Sequence, residues 1–459
     1  MHDWMPDLAE GTGPKYVAIA GALVRDIERG VLRPGDRLPP QRVLAERLGI
    51  DLTTVTKAYN DVRRRGLMEG GGRRGSFVSE RGATTPDAPE ELRLDTGMNL
   101  PPEPAGGSFA PSYAAGVTAL LDRPGGIGAM QYQPSGGAPA DRAAAAAALR
   151  ARGMEASDEM VLITSGSQNA LHAIVSAALQ PGDVICTPAY VYPGFIGLAR
   201  RYALILKPVR TDAEGILPDA LETAAQAGAK ALYIVPDNDN PTTATMGLAR
   251  RRAIAAIAVK HGLTIIEDDA YGQLAAEPLP SLACFAPDHT WHVATMSKII
   301  SPGLRVAWLR APSVRQAWRL ASDIHETAIM APPLNAALTT LWLRDGSFER
   351  LVAEVREESI ARQQLAAVIL ADVPFSAQPD GYHLWMPLAD SASPADIVNA
   401  LRPAGLSVVP SDAFAVGRDA APALRVSIGG GLSRERLGRT LRLLDALVVQ
   451  DARRNAPIV

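Results

Sequence analysis

From about residue 98 onward, short apolar runs alternate with alanine-rich helical stretches. VLITSG precedes a helical run around ALHAIVSAAL, and DVICTPAY, ALYIVPDN, RRAIAAIAVKHG, TIIEDDAY, WHVATMSK and VAWLRAP continue the series. Alternation of strand and helix on this scale leaves few architectures, and it predicts an α/β body with a mostly parallel sheet. The runs end in polar residues: Ser167 and Gln168, Tyr190, Asn240, Asp268 and Tyr271, and Thr295 to Lys298. Open α/β sheets bind ligands beyond the carboxyl ends of their strands. Five strand ends carrying such residues therefore point to one site.

The residue types suit pyridoxal 5′-phosphate. A lysine must form a Schiff base, and Lys298 follows a strand and a run of small residues. A carboxylate must meet the pyridine nitrogen, and Asp268 closes the apolar run of IIEDDAY. Asn240 and Tyr271 can hold the phenolic oxygen. TSGSQNALHAI opens a helix whose free N–H groups favour an anion, with Ser167 and Gln168 adding donors. Thr295, Ser297 and Arg305 would add more, and Tyr190 offers an aromatic face to cover the ring. Each signal is common alone; their order on successive strand ends is not.

The first eighty residues read differently. YVAIAGALVRDIERG carries the helical stripe Tyr16, Ile19, Ala20, Leu23, Val24 and Ile27, and Gly30 ends it. PQRVLAERLG predicts a second helix with Val43, Leu44, Ala45 and Leu48 inward. Asp51 is placed to cap a third, LTTVTKAYNDVRRRG, which buries Val55, Ala58, Tyr59 and Val62. Its outer face presents Thr53, Thr56, Lys57 and Asn60, with Thr54 nearby as a further candidate contact. Two short helices and a tight turn fit a helix-turn-helix reader. LMEGGGRRGSFVS then reads as a hairpin wing, with Arg73 and Arg74 at a tip suited to phosphates or the minor groove. ERGATTPDAPEELRLDTG, residues 80–97, lacks apolar periodicity and reads as a linker.

Charge supports the division. Residues 15–79 hold 13 Lys and Arg against 7 Asp and Glu, a surplus of six, so the net charge of −3 leaves −9 on the rest. A basic head on an acidic body implies that only the head meets a polyanion. The two cysteines, Cys186 and Cys284, form no metal-ligand spacing and fit a reducing cytoplasm. No apolar run is long enough for a membrane span, no signal peptide is evident, and no metal is expected.

On PGDRLPPQRVLAERLG, TVTKAY and GSFV, the head resembles the winged helix-turn-helix of GntR-type regulators. That resemblance implies that Arg42, in the LPxxR motif, contacts DNA. Leu52 stands where the family usually has arginine, and Pro40 replaces a small hydroxyl residue. The body, residues 98–459, resembles fold-type I pyridoxal-phosphate aminotransferases near the kynurenine/aminoadipate group, with a large α/β domain and a smaller C-terminal α+β domain. The resemblance implies that Lys298 is the Schiff-base lysine and Asp268 the partner of the ring nitrogen. It makes Tyr271 and Asn240 the phenolic-oxygen partners and Tyr190 the stacking ring. It gives the phosphate to Ser167, Gln168, Thr295 and Arg305. Arg425, in ALRVSIGG, matches the arginine that grips a substrate α-carboxylate, and Tyr132, in MQYQPSGG, matches a tyrosine donated to the neighbouring subunit's phosphate. The family's NPTG stands here as Asn240-Pro241-Thr242-Thr243, a departure from the pattern of an efficient transaminase.

The order of the parts resembles MocR-subfamily regulators, a GntR-type head (residues 12–79) joined to an aminotransferase-like body. That implies a cytoplasmic homodimer which binds double-stranded operator DNA and senses an amine or amino acid by aldimine exchange at Lys298. The competing reading is a working aminotransferase with an accessory DNA-binding domain. A third, a DNA-binding protein with a vestigial body, sits poorly with the intact cofactor residues.

Overall fold

The computed structural model describes residues 4–6, 15–33, 35–64, 67–70, 75–79, 97–417 and 420–454. They fall into two compact units, Met1–Leu94 and Asp95–Val459.

In the first unit, helices α1 (Lys15–Glu28), α2 (Gln41–Leu48) and α3 (Leu52–Arg64) enclose a small core. Val55, Ala58, Tyr59 and Val62 of α3 are fully buried, as are Ile19 and Leu23 of α1. Buried Tyr59 is tolerated because its hydroxyl donates to Pro39 O at 2.9 Å. Asp51 caps α3 by accepting from Thr53 N at 2.7 Å, and Gly49 ends α2 in the left-handed conformation. Two expected core residues lie outside. Tyr16 is on the correct face but in the first turn of α1, ahead of Ile19, the first fully buried residue there. Val43 is exposed because the buried stripe of α2 is centred on Leu44, Ala45 and Leu48, which turns position 43 well away from it. A two-stranded antiparallel hairpin follows, β1 (Met68–Glu69) with β2 (Phe77–Val78), Met68 opposite Val78. Arg73 and Arg74, and residues 80–96 of the expected linker, lie outside the described residues.

The second unit is built on a seven-stranded sheet. Its strands are β3 (Val161–Thr164), β4 (Val184–Thr187), β5 (Ile205–Pro208), β8 (Ala231–Ile234), β9 (Thr264–Asp269), β10 (Thr290–Thr295) and β11 (Ala307–Arg310), with the small hairpin β6 (Thr211–Asp212) and β7 (Gly215–Ile216) between β5 and β8. The order is β3-β11-β10-β9-β8-β4-β5, and only β11 runs against its neighbours. Central strands are buried along their whole length, which explains why they read as continuous apolar runs. Helices α4 (Phe109–Leu121), α5 (Pro139–Ala151) and α6 (Ser167–Ala178) belong to this unit, with two residues between β3 and α6. A second, antiparallel sheet of β12 (His383–Pro387), β13 (Ser407–Pro410) and β14 (Ala423–Ser427), ordered β12-β14-β13, forms the smaller C-terminal α+β part with the helices at 347–369, 394–401 and 434–454.

Both cysteines are free. Among the described residues no helix is long and apolar enough to cross a membrane, and no cluster of His, Cys, Asp and Glu could hold a metal.

Candidate functional site

β9 ends in three consecutive acids, and the two-residue period of a strand sorts them. Glu267 accepts from Ser281 Oγ at 2.5 Å and from Leu282 N at 2.8 Å. Asp269 pairs with Arg152 at 2.5 Å and with His292 Nε2 at 3.0 Å. Burial alone would raise its pKa, but Arg152 and His292 outweigh burial and hold the Asp269 carboxyl well below the usual range. Asp268, between them, has no such anchors. Tyr233 O–H donates to its Oδ2 at 2.8 Å, while Oδ1 is buried without a protein partner. Burial pushes its carboxyl up to about 6, against the opposing pull of the Tyr233 hydrogen bond.

Lys298 follows β10. Its Nζ donates to the backbone carbonyl of Asn99 at 2.6 Å, and its own carbonyl accepts from Tyr382 O–H at 2.8 Å. Burial, then the cations of Arg425 and Arg305, bring its amine down to about 8, with Asp268 opposing. Arg425, Arg305 and Asp268 thus all lie near enough to Lys298 for their charges to act on it, and the space they share is the candidate cleft.

One end of the cleft suits an anion. Gly166 (φ 80°) precedes the first turn of α6, and a Cβ there would come within 2.8 Å of the Arg305 guanidinium. Glycine is thus favoured by the backbone, and a side chain there would push the Arg305 guanidinium from its place. Arg305 is itself left-handed (φ 52°), and its Nη2 donates to Ser165 O at 3.0 Å. Thr295 and Ser297 are buried at the end of β10; Thr295 Oγ1 accepts from Ser297 N at 3.2 Å, and Ser297 Oγ has no protein partner. Ser167 and Gln168 form the first turn of α6, with Gln168 Nε2 donating to Gly194 O at 3.3 Å.

Tyr271 belongs to the same site, where it is linked to Asn99 and feels the charges of Arg425 and Asp268. Asn240 Oδ1 is buried without a protein partner. Tyr271 accepts at its hydroxyl oxygen from Asn99 Nδ2 at 3.0 Å, which leaves its proton to be donated elsewhere. Thr243, at the position of the family's usual glycine, is buried in the left-handed region (φ 63°), a strained setting for a β-branched residue.

Arg425 is buried on β14. Its Nη2 donates to Gly97 O at 2.5 Å, and its guanidinium lies over the Phe414 ring at 5.8 Å. Tyr190 packs its ring against Trp385, 5.0 Å between centroids, and its hydroxyl donates to Ala421 O at 3.3 Å. A neighbouring ring, Tyr192, instead feels Asp268 and Arg305: burial and the Asp268 charge raise its pKa, with Arg305 opposing. Tyr132 is 81% exposed and takes no part in this chain's own cleft.

Three residues of the site were not evident in the sequence. Asn99 is buried and accepts at Oδ1 from Ser427 Oγ at 2.7 Å, besides its contacts to Lys298 and Tyr271. His383, fully buried, must donate from Nε2 to the carbonyl of Asp239 at 3.0 Å, so its Nδ1 accepts from Asn99 Nδ2 at 3.2 Å. Burial pushes this imidazole down to about 3, so it stays neutral. Tyr192 is the third. Only its spacing two residues beyond Tyr190 could have suggested it.

In the first unit, Arg42 and Lys57 are exposed on α2 and α3. Thr53 Oγ1 is held by Asp51 at 2.6 Å, and Thr56 Oγ1 by Gln41 Oε1 at 2.8 Å, while Thr54 is half-buried.

Residues 118–444 match the family model for aminotransferase class I and II, and residues 15–78 that for bacterial regulatory proteins of the gntR family. The HTH-type transcriptional regulator YdeF of Bacillus subtilis is 30% identical, covering 97% of this chain and 96% of that protein. The vitamin B6 salvage pathway transcriptional repressor PtsJ of Salmonella typhimurium is 28% identical, over 87% of this chain and 90% of its own length. Among solved structures, the α-aminoadipate aminotransferase LysN of Thermus thermophilus, complexed with N-(5′-phosphopyridoxyl)-L-leucine, superposes with a TM-score of 0.68 at 28% identity, over 77% of this chain and 95% of that one.

Proposed function

Because this chain belongs to the aminotransferase class I and II family, in the MocR-type branch headed by a GntR-type helix-turn-helix domain, we propose that it is a transcriptional regulator. Its head binds double-stranded operator DNA in the cytoplasm, and its body recognises a primary amine that carries a carboxylate.

The cofactor of this fold is pyridoxal 5′-phosphate. The residues fit it: Asp268 Oδ1, whose charge acts on Lys298, and Ser297 Oγ, next to that lysine in the chain, are buried polar atoms without protein partners, as is Asn240 Oδ1, and native proteins rarely leave such atoms unsatisfied without a reason. Lys298 would hold the aldehyde carbon, Asp268 the ring nitrogen, and Tyr271 and Asn240 the phenolic oxygen. The α6 N-terminus, Ser167, Gln168, Thr295, Ser297 and Arg305 would hold the phosphate. Tyr192 is the better-placed ring to face the cofactor, since it senses Asp268 and Arg305 while Tyr190 packs on Trp385. Bound there, the group supplies an electrophilic carbon that condenses reversibly with a primary amine.

The protein's own residues prepare that exchange. With its pKa near 8, Lys298 is uncharged in roughly a tenth of molecules at neutral pH, far more than a free lysine would be. Asp268 is still mostly ionised there and can keep a ring nitrogen protonated. Asn99 turns the Tyr271 proton away from itself. Arg425 offers a planar fork suited to a carboxylate. The observation that carries the reading is the last pairing: Lys298 and the buried Arg425 guanidinium donate to carbonyls two residues apart, Asn99 O at 2.6 Å and Gly97 O at 2.5 Å.

The exposure of Tyr132 supports a second copy as its partner, completing the phosphate site in trans; sedimentation as a monomer with cofactor fully bound would contradict this. Two heads would then suit a repeated operator. The reading as a whole is tested by screening amines and amino acids for changes in the absorbance of the loaded protein, alongside turnover with an amino donor and keto acid. A regulator changes its spectrum and its DNA complex without sustained turnover. Steady turnover with no effect on DNA favours the enzyme.

A further inference from the structure

The two groups that an amino-acid effector must engage already share an occupant. Lys298 Nζ donates to Asn99 O at 2.6 Å, and Arg425 Nη2 donates to Gly97 O at 2.5 Å. Both acceptors are main-chain carbonyls of the first described residues of the body. The same segment is held from its side chains: Asn99 donates to Tyr271 and His383 and accepts from Ser427. A few residues on, the chain becomes an anchor. Gly430 N donates to Leu100 O at 3.1 Å and Glu103 N to Gly430 O at 3.3 Å, and a Cβ at position 429 would collide with Leu100 O. Arg362 fixes the far side of that turn by donating to Ile428 O at 2.9 Å.

We infer that Gly97–Asn99 is a strap that an effector's carboxylate displaces from Arg425, so that occupancy of the cleft is transmitted to the chain running toward the N-terminal unit. The inference rests on the roles given above to Lys298 and Arg425. A carboxylate that binds the guanidinium through two oxygens takes two of its N–H groups, and a charged acceptor outcompetes a neutral carbonyl. With Lys298 committed to the cofactor, the hold at Asn99 O is already given up, so the hold at Gly97 O is the one an effector's carboxylate must break. Leu100–Glu103 stays pinned, so release is confined to the residues before it. Asn99 is the positioning residue of the device, because its side chain ties the strap to Tyr271, His383 and Ser427. A carboxylate-free amine would leave the Gly97 hold intact, which gives the sensor a reason to select amino acids.

The test uses the full-length protein with two probes: pyridoxamine 5′-phosphate, which lacks a carboxylate, and N-(5′-phosphopyridoxyl)-L-leucine, which adds one. Hydrogen exchange is read by mass spectrometry on peptides covering 97–103, with β3 as the internal reference. In the wild type, amides at 97–100 should exchange about tenfold or more faster with the leucine adduct than with pyridoxamine 5′-phosphate, and the reference should not change. Asn99→Ala should exchange fast with either probe. If that variant does not fold, Ser427→Ala, which removes only the hydroxyl on Asn99 Oδ1, should show an intermediate rate. Equal exchange in the wild type with both probes bound overturns the strap while leaving the effector site standing. Failure of the leucine adduct to bind at all, read by calorimetry, overturns the effector site and the strap with it.

Discussion

The two units put their functional side chains in opposite environments. In the head, Arg42 and Lys57 stand exposed on helices that pack a small, mostly apolar core beneath them. In the body, Asp268, Thr295, Ser297 and Arg425 are all buried. Water solvates a surface arginine at little cost, so its presence says little about purpose. A buried polar group is expensive unless it is paired, so each one in the body demands a partner or a role. Two of the three acids at the end of β9 are explained by their protein partners, and the third, Asp268, keeps one buried oxygen without one. The head binds by long-range charge and the body by short-range geometry, and the two should fail independently.

The largest separation should come from Arg425→Ala. Loss of a buried charged partner costs about 2–5 kcal/mol, or roughly 30-fold to several-thousand-fold in affinity. Titration with N-(5′-phosphopyridoxyl)-L-leucine should show that loss, while cofactor absorbance and DNA binding persist. A variant that binds this probe as tightly as the wild type would remove Arg425 from the effector site.

Arg42→Ala should do the converse. Operator affinity should fall, and the log–log salt slope should lose about one unit for the missing phosphate contact. The cofactor spectrum should stay the same. An unchanged slope in a gel-shift series would mean that Arg42 faces no phosphate.

The depressed pKa of Lys298 gives a smaller, body-only effect. Cofactor loading needs the uncharged amine. Its rate in stopped-flow absorbance should rise with pH and level off above about 8, where an ordinary lysine would keep rising toward 10.5. A rate that climbs steadily to pH 10 would contradict the burial and cation effects assigned to this amine.

Smallest is the strain at Thr243. Relieving a left-handed β-branched residue with Thr243→Gly should stabilise the body by about 1 kcal/mol, read as a raised midpoint in urea. No gain would mean that the contacts Thr243 N–H to Asp239 O, 2.7 Å, and Gln378 Nε2 to Thr243 O, 2.8 Å, depend on the side chain.

The same contrast explains what could be read before the structure. The three helices of the head and six of the seven main strands announced themselves because their periodicity is local. Edge strand β5 did not: three of its four residues are exposed, so it lacks the apolar run that marked the others. The expectations for Asp268 and Lys298 came from strand ends, and the structure puts Asp268 at the penultimate position of β9 and Lys298 just after β10, whereas Asn240 lies in the loop after β8. Asn99 was not legible. Its contacts to Tyr271, His383 and Ser427 span 172, 284 and 328 residues, and nothing near Asn99 in the chain hints at them. His383 was hidden in the same way, a polar residue inside a strand with partners on other elements. Tyr190 and Tyr192 show a different limit, since two aromatic residues so close in a loop cannot be assigned to opposite environments from their order alone.

The central claim is that the chemistry at Lys298 controls what the head does. It is tested by footprinting Lys298→Ala and wild type on one operator fragment selected from random DNA, with and without the amino acid that most changes the wild-type spectrum. Both proteins should protect the same DNA. Only the wild type should change its footprint when the amino acid is added. A full response from Lys298→Ala would mean that the lysine is not the sensor and that the body acts on the head by another route.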